Sequence, residues 1–257
     1  LGWAAAPVFV LAIAEVAGWR AAAVGASLVG FAALAFLLHN RGLLDDAQSV
    51  ATDAGKREGG SAAFLAIPIV WMCFAFFLLS VMAFGGLQNF APPIFERSYH
   101  VSLAFATTSL TAYLLGSAAG MATGGFFASR GDGQDRIIAL ALGSAAACAV
   151  LLASGVLPSW SLVAVMGAMG FGVGIAGPSR DILVRRAATS TFGSSAFGRI
   201  YGFVYSGIDV GLALAPVVFG LFMDAGKYSS VLWGVALLQT MAIFAALAVG
   251  VRSRSGG

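Results

Sequence analysis

Long apolar runs separated by short polar stretches set the pattern of this chain. From Gly198 to Gly226 it reads GRIYGFVYSGIDVGLALAPVVFGLFMDAG. A helix needs roughly 20 apolar residues, at about 1.5 Å rise each, to cross the hydrocarbon of a bilayer. This run is long enough, and it predicts a membrane-spanning helix. One carboxylate, Asp209, falls near its middle. A charge at that depth costs at least about 2.5 kcal/mol on insertion scales, and normally faces a bundle interior or a wet cavity. Helical spacing places Gly202, Tyr205, Ser206, Asp209, Ala213 and Pro216 on one small, polar face. Phe203, Val210, Leu214, Val217 and Leu221 form an opposite, apolar face suited to lipid. The pattern predicts a helix that lines a pathway.

The same periodicity organises the rest. Residues 1–14 are apolar but reach only about 21 Å as a helix, like the second half of a span whose start is cut off. Residues 18–38 form a full span. Residues 39–62 are polar, with Asp45, Asp46, Asp53, Lys56, Arg57 and Glu58, and predict a linker between two bundles. The next span, 63–87, is expected to end at Gln88, Asn89 and the breaker pair Pro92-Pro93. Spans at 102–128, 137–156 and 159–176 follow, the first two separated by the charged turn SRGDGQDR. Residues 178–198 read as a second polar connection, partly helical. The Asp209 span and a last one at 231–251 complete the chain. The fold class is therefore all-α: a polytopic transmembrane bundle of eight spans, the first truncated. Its divisions are 1–38, the linker 39–62, and a six-helix bundle 63–257.

Composition supports that class. The 257 residues are 60% hydrophobic and 10% charged, with a mean hydropathy of +0.92, where soluble domains carry about 25% charged residues. The net charge of +3 does not point to nucleic acid, because the basic residues sit between spans. With the linker cytoplasmic, 11 of the 14 basic residues fall inside and only Arg20, Arg97 and Lys227 outside, as the positive-inside rule requires. Cys73 and Cys148 lie within apolar spans and match no metal or redox spacing; no metal or cofactor is expected. No basic leader precedes the first apolar run. No GxxxxGK[ST] loop argues for a primary pump, and no HExxH or GxSxG for a membrane enzyme.

An internal echo runs through the chain. GWAAAP at 2–7 resembles GLALAP at 211–216, and FAALA occurs at both 31–35 and 244–248. Bundles repeated about an axis along the membrane normal are a feature of transporters. Glycines form smooth faces for close packing at Gly116, Gly120 and Gly124, and at Gly167, Gly170, Gly174 and Gly177. Gly211 and Pro216 are packing candidates on the Asp209 helix. Further polar candidates for a cavity are Gln88, Asn89, Thr108, Tyr113, Tyr205 and Ser206. Asp181 and Arg185 stand at i, i+4 and read as a surface helix pair.

With these residues placed, the chain resembles a major facilitator superfamily transporter. The eight spans are similar to helices five to twelve of that fold, which implies four more helices of the same protein in front. The family's cytoplasmic loop motif falls on Gly125, Arg130 and Gly131, continuing to Arg136; Ser129 stands where the family carries an acid. Gly2 to Pro7 approximates the antiporter motif of the fifth helix, with Ala6 in place of a glycine. The resemblance implies a secondary transporter working by alternating access in the bilayer. Its partners would be a small organic substrate and protons, with Asp209 as the coupling carboxylate. Efflux is favoured over metabolite uptake, because no Arg or Lys is expected inside the spans. The alternative is a non-transporting receptor or scaffold on the same fold. The expected location is a plasma membrane of the bacterial inner type, with linker and C-terminus cytoplasmic.

Overall fold

The computed structural model describes residues 2–40, 65, 67–128, 134–192 and 197–255, nearly all of them helical. The chain divides into two units, Leu1–Gly59 and Gly60–Gly257. Most of the expected linker lies outside the described residues, as do Ser129, Arg130 and Gly131 of the loop motif.

In the first unit, α1 (Gly2–His39) is broken at Gly18, where φ is 83° and ψ is 164°. That conformation is open to glycine at little cost and strained for other residues. A Cβ placed on Gly25 would lie 3.2 Å from Cδ1 of Ile13. In an unbroken helix those residues would be about 18 Å apart, so the chain folds back on itself at Gly18. Trp19, Phe31 and Phe36 are exposed on the second arm.

Among the described residues the second unit holds six α-helices. They are α2 (Pro68–Tyr99), α3 (Leu103–Ala128), α4 (Gln134–Ser154), α5 (Leu162–Phe192), α6 (Phe197–Asp224) and α7 (Tyr228–Ser255), with a 3-10 turn, Ser159–Ser161, before α5. α2 starts with Pro68 in the first turn, where a missing N–H costs nothing. It does not stop at Pro92-Pro93, as the sequence suggests, but continues through both prolines until His100 turns left-handed at φ 54°. Gln88 and Asn89 therefore sit inside a helix and not at its end. α5 likewise runs past Pro178, so much of the expected polar connection at 178–198 is helix. Membrane helices tolerate such prolines where neighbouring groups meet the freed carbonyls. α6 ends in a Schellman arrangement: Gly226 has φ 69°, Lys227 N–H donates to Phe222 O at 2.8 Å and Gly226 N–H to Met223 O at 3.0 Å.

Among the described residues six helices are long and apolar enough to cross a membrane: Val16–His39, Pro68–Tyr99, Gln134–Ser154, Ser159–Ile182, Ile200–Asp224 and Tyr228–Val249. Eight were expected. α3 is long enough, but its hydroxyl residues lower its hydropathy. These hydroxyls turn back on their own helix, Thr107 donating to Leu103 O at 2.8 Å and Thr111 to Thr107 O at 3.1 Å, which lets them sit in apolar surroundings.

Small residues set the packing. α3 and α5 approach so closely that a Cβ on Gly116, Gly120, Gly170 or Gly174 would strike the backbone of the facing helix, and one on Gly124 would come within 2.6 Å of Ile175 O. α6 packs on α2 in the same manner, with Gly207 against Phe74 O and Gly211 against Leu78 O, each leaving 2.8 Å to an added Cβ. Phe219 of α6 fills the space left by Gly86 of α2 and Gly234 of α7. Lipid supplies no hydrophobic incentive for helices to associate, so close backbone approach and dispersion must do so. One apolar cluster gathers Leu87, Phe95, Met166 and Phe219; a second gathers Phe76, Phe77, Ile138 and Val204.

Candidate functional site

α6 divides its circumference into three arcs. Ile200, Val204, Gly207, Gly211, Ala215 and Phe219 are buried and face α2 and its neighbours. Val217 and Leu221 lie on an exposed apolar arc, 63% and 69% accessible. Gly202, Asp209, Ala213 and Pro216 form the third arc, also exposed on this unit. Asp209 is thus neither sealed in the packing of α2–α7 nor on the arc that carries Val217 and Leu221. Pro216 shares its arc and stands outside the packing face, unlike Gly211.

One and two turns before Asp209 stand Tyr205 and Tyr201. The Tyr201 hydroxyl donates to the Tyr205 hydroxyl at 2.6 Å, and the ring centroids are 4.2 Å apart. Phe77 of α2 packs its ring 5.0 Å from that of Tyr205. Arg180 of α5 covers the same Phe77, its guanidinium carbon 4.3 Å from the ring centroid. Its Nε donates to Asp181 Oδ1 at 3.3 Å, and its side chain is only 21% accessible. Arg180 and Asp181 both lie within electrostatic range of the Tyr205 hydroxyl. Three helices thereby bring Phe77, Arg180, Tyr201 and Tyr205 into one cluster.

The other sequence candidates are distributed differently. Ser206 donates to Phe203 O at 2.7 Å on its own helix. Tyr113 is fully buried between α3 and its neighbours, 6.1 Å from the ring of Phe84, and its hydroxyl has no hydrogen-bond partner among the described residues. Thr108 is exposed and donates to Ala104 O at 2.9 Å. Gln88 and Asn89 are exposed, Asn89 donating to Gly85 O at 2.7 Å; they stand about three turns beyond Phe77 on α2. Gly125 and Arg136 are exposed. A Cβ on Gly177 would only touch Met121 Cε, at 3.7 Å.

Sequence reasoning missed Arg180, Tyr201 and Phe77. Pro178 reads as a breaker, which set Arg180 in a polar connection; the helix passes through it, and Arg180 lies on α5 two residues beyond that proline. Asp181 accepts from Arg180; the side chain of Arg185, with which the sequence spacing pairs it, lies outside the described residues. Tyr201 stands four residues before Tyr205, a spacing that the chain did display.

Long apolar helices packed through glycine faces, with ionisable groups gathered on inward or open arcs, define a multi-pass integral membrane protein. The family model of the Major Facilitator Superfamily matches residues 1–188 and again 90–256. The chain belongs to the major facilitator superfamily, a family of membrane transporters. No curated protein and no solved structure matches it.

Proposed function

We propose that this chain moves a small organic molecule across a plasma membrane by alternating access, driven by protons, with Asp209 as the coupling carboxylate. The observation that carries the reading is the position of Asp209 on an arc of α6 left open by the packing of its own bundle. A carboxylate within an apolar span is costly unless water or a partner reaches it. There it can take up and release a proton as access alternates. Tyr205 and Ser206, on the adjoining part of that face, are the proposed substrate contacts. The linker and C-terminus are assigned to the cytoplasm, following the basic residues. Helices of the same protein beyond this chain would complete the N-terminal bundle.

Export is the proposed direction for an apolar substrate, given Phe77, Tyr201 and Tyr205 around the site. Uptake of a metabolite gains support from a specific observation, the largely buried Arg180 side chain lying over Phe77. The test is proton-driven flux in vesicles carrying the intact protein. Asp209→Asn should abolish proton-coupled flux with expression unchanged. Wild-type flux from that variant would remove Asp209 from the coupling step, and an absence of any flux from the unaltered protein would leave a receptor or scaffold role instead.

A further inference from the structure

Arg180 is placed in an unusual way for an arginine on a membrane helix. Such side chains commonly extend outward so that the charge reaches the headgroups. Here the guanidinium lies over Phe77, the tenth residue of α2. That ring is about 13 Å along α2 from its first residue. Arg180 therefore reaches along the bundle and not out of it, and it does so at 21% accessibility. Among the described residues its ion-pair partner is Asp181, through Nε at 3.3 Å, and that carboxylate is itself 42% accessible, so most of the guanidinium's hydrogen-bonding edge is left to other acceptors.

The donors that remain point to what those acceptors would be. Asp181 engages only Nε of the guanidinium. Among the described residues neither Nη finds an acceptor, which leaves open the edge that grips a carboxylate through two parallel bonds. The Tyr205 hydroxyl shares a hydrogen bond with that of Tyr201, and a hydroxyl that accepts from its neighbour can rotate to donate its own O–H to an arriving anion. Arg180 and Tyr205 both pack on Phe77. The cluster thus offers N–H and O–H donors, one fixed positive charge and aromatic faces.

We propose that Arg180 and Tyr205 bind the carboxylate of the transported molecule, with Phe77 and Tyr201 holding an apolar ring or chain attached to it. The substrate is then an organic carboxylate with an apolar part. This rests on the transporter reading and deepens it: Asp209, one turn beyond Tyr205, handles the proton, and Arg180 handles the anion. Asp181 holds Nε and keeps the guanidinium oriented when no anion is bound.

The test is equilibrium binding, which needs no flux. The intact protein in nanodiscs of phosphatidylcholine alone is titrated with benzoate, and with benzamide as its uncharged counterpart, following thermal unfolding. Benzoate should raise the unfolding temperature and benzamide should not. Arg180→Gln should weaken the apparent benzoate affinity by about tenfold to a hundredfold, the range for a charged hydrogen-bonded contact. Arg180→Lys should recover part of it, and Tyr205→Phe should weaken it by about tenfold. If Arg180→Gln does not fold, Arg180→Lys and Tyr205→Phe carry the comparison. Equal shifts from benzoate and benzamide, no shift from benzoate, or an unchanged affinity in these variants would overturn the proposal. A second arm adds phosphatidylglycerol in place of benzoate. Stabilisation by that lipid, lost in Arg180→Gln, together with no benzoate effect, would assign the anion site to a lipid headgroup and overturn the substrate claim. Proton-driven flux that persists while benzoate binding fails would sink this inference and leave the transporter reading standing.

Discussion

The hydroxyls of Tyr201 and Tyr205 are 2.6 Å apart, with the first donating to the second one helical turn along α6. The bond couples the two hydroxyls, and it holds the Tyr201 ring against that of Tyr205, which packs on Phe77. Tyr201→Phe should lower stability by about 1 kcal/mol, as for a typical intramolecular hydrogen bond. Combined with Tyr205→Phe, the loss should fall short of the sum of the single changes. Thermal or denaturant unfolding of the four proteins measures this, and additive losses would show that the two hydroxyls do not act together.

The α3–α5 contact permits no side chain at Gly116, Gly120, Gly170 or Gly174. Gly170→Ala would drive a Cβ into the Tyr113 backbone, and Gly116→Ala into that of Gly167. Each should cost about 2 kcal/mol or more, because backbone cannot move aside as a flexible side chain can. Gly143→Ala, with open space around it, should be neutral or stabilising through helix propensity. Folded yield and unfolding temperature in detergent distinguish these outcomes; equal behaviour of Gly170→Ala and Gly143→Ala would contradict the close approach.

Tyr113 buries a hydroxyl without a partner. An unsatisfied buried polar group costs free energy that a benzyl side chain of similar shape avoids. Tyr113→Phe should therefore leave stability unchanged or raise it by about 1 kcal/mol. A loss of flux with stability retained would show that the hydroxyl serves the transported molecule.

The two exposed arcs of α6 differ in chemistry, and water should distinguish them. In a background with Cys73 and Cys148 replaced by Ala, Asp209→Cys should react in membranes with a charged, water-soluble thiol reagent. Val217→Cys and Leu221→Cys should react slowly, because apolar arcs of that kind face lipid. Protection of position 209 equal to that of 217 would argue against a wet path.

Much of the helix layout was legible because apolar length and period are local properties. The runs at 18–38, 137–156 and 231–251 correspond closely to described helices, since each needs only its own backbone bonds and an apolar surface. The glycine stripe at 116, 120 and 124 was visible as spacing, but its partner at 170 and 174 could be assigned only once α3 and α5 were seen face to face. The prolines at 92, 93 and 178 misled, because a proline's local cost is outweighed when neighbouring helices hold both sides of it in place.

The sequence by itself determined that this chain lives in a membrane, where its helices run, and that Asp209 is a charge within one of them. Those follow from the cost of leaving backbone groups or charges in oil, which each segment carries independently of its neighbours. Tertiary structure decided which of several polar residues meet. Arg180, Phe77 and Tyr205 come from three separate helices and meet around the Phe77 ring only because α5 continues past Pro178 and because glycines let α6 lie close on α2. Contacts between distant segments depend on packing, and no local period encodes them.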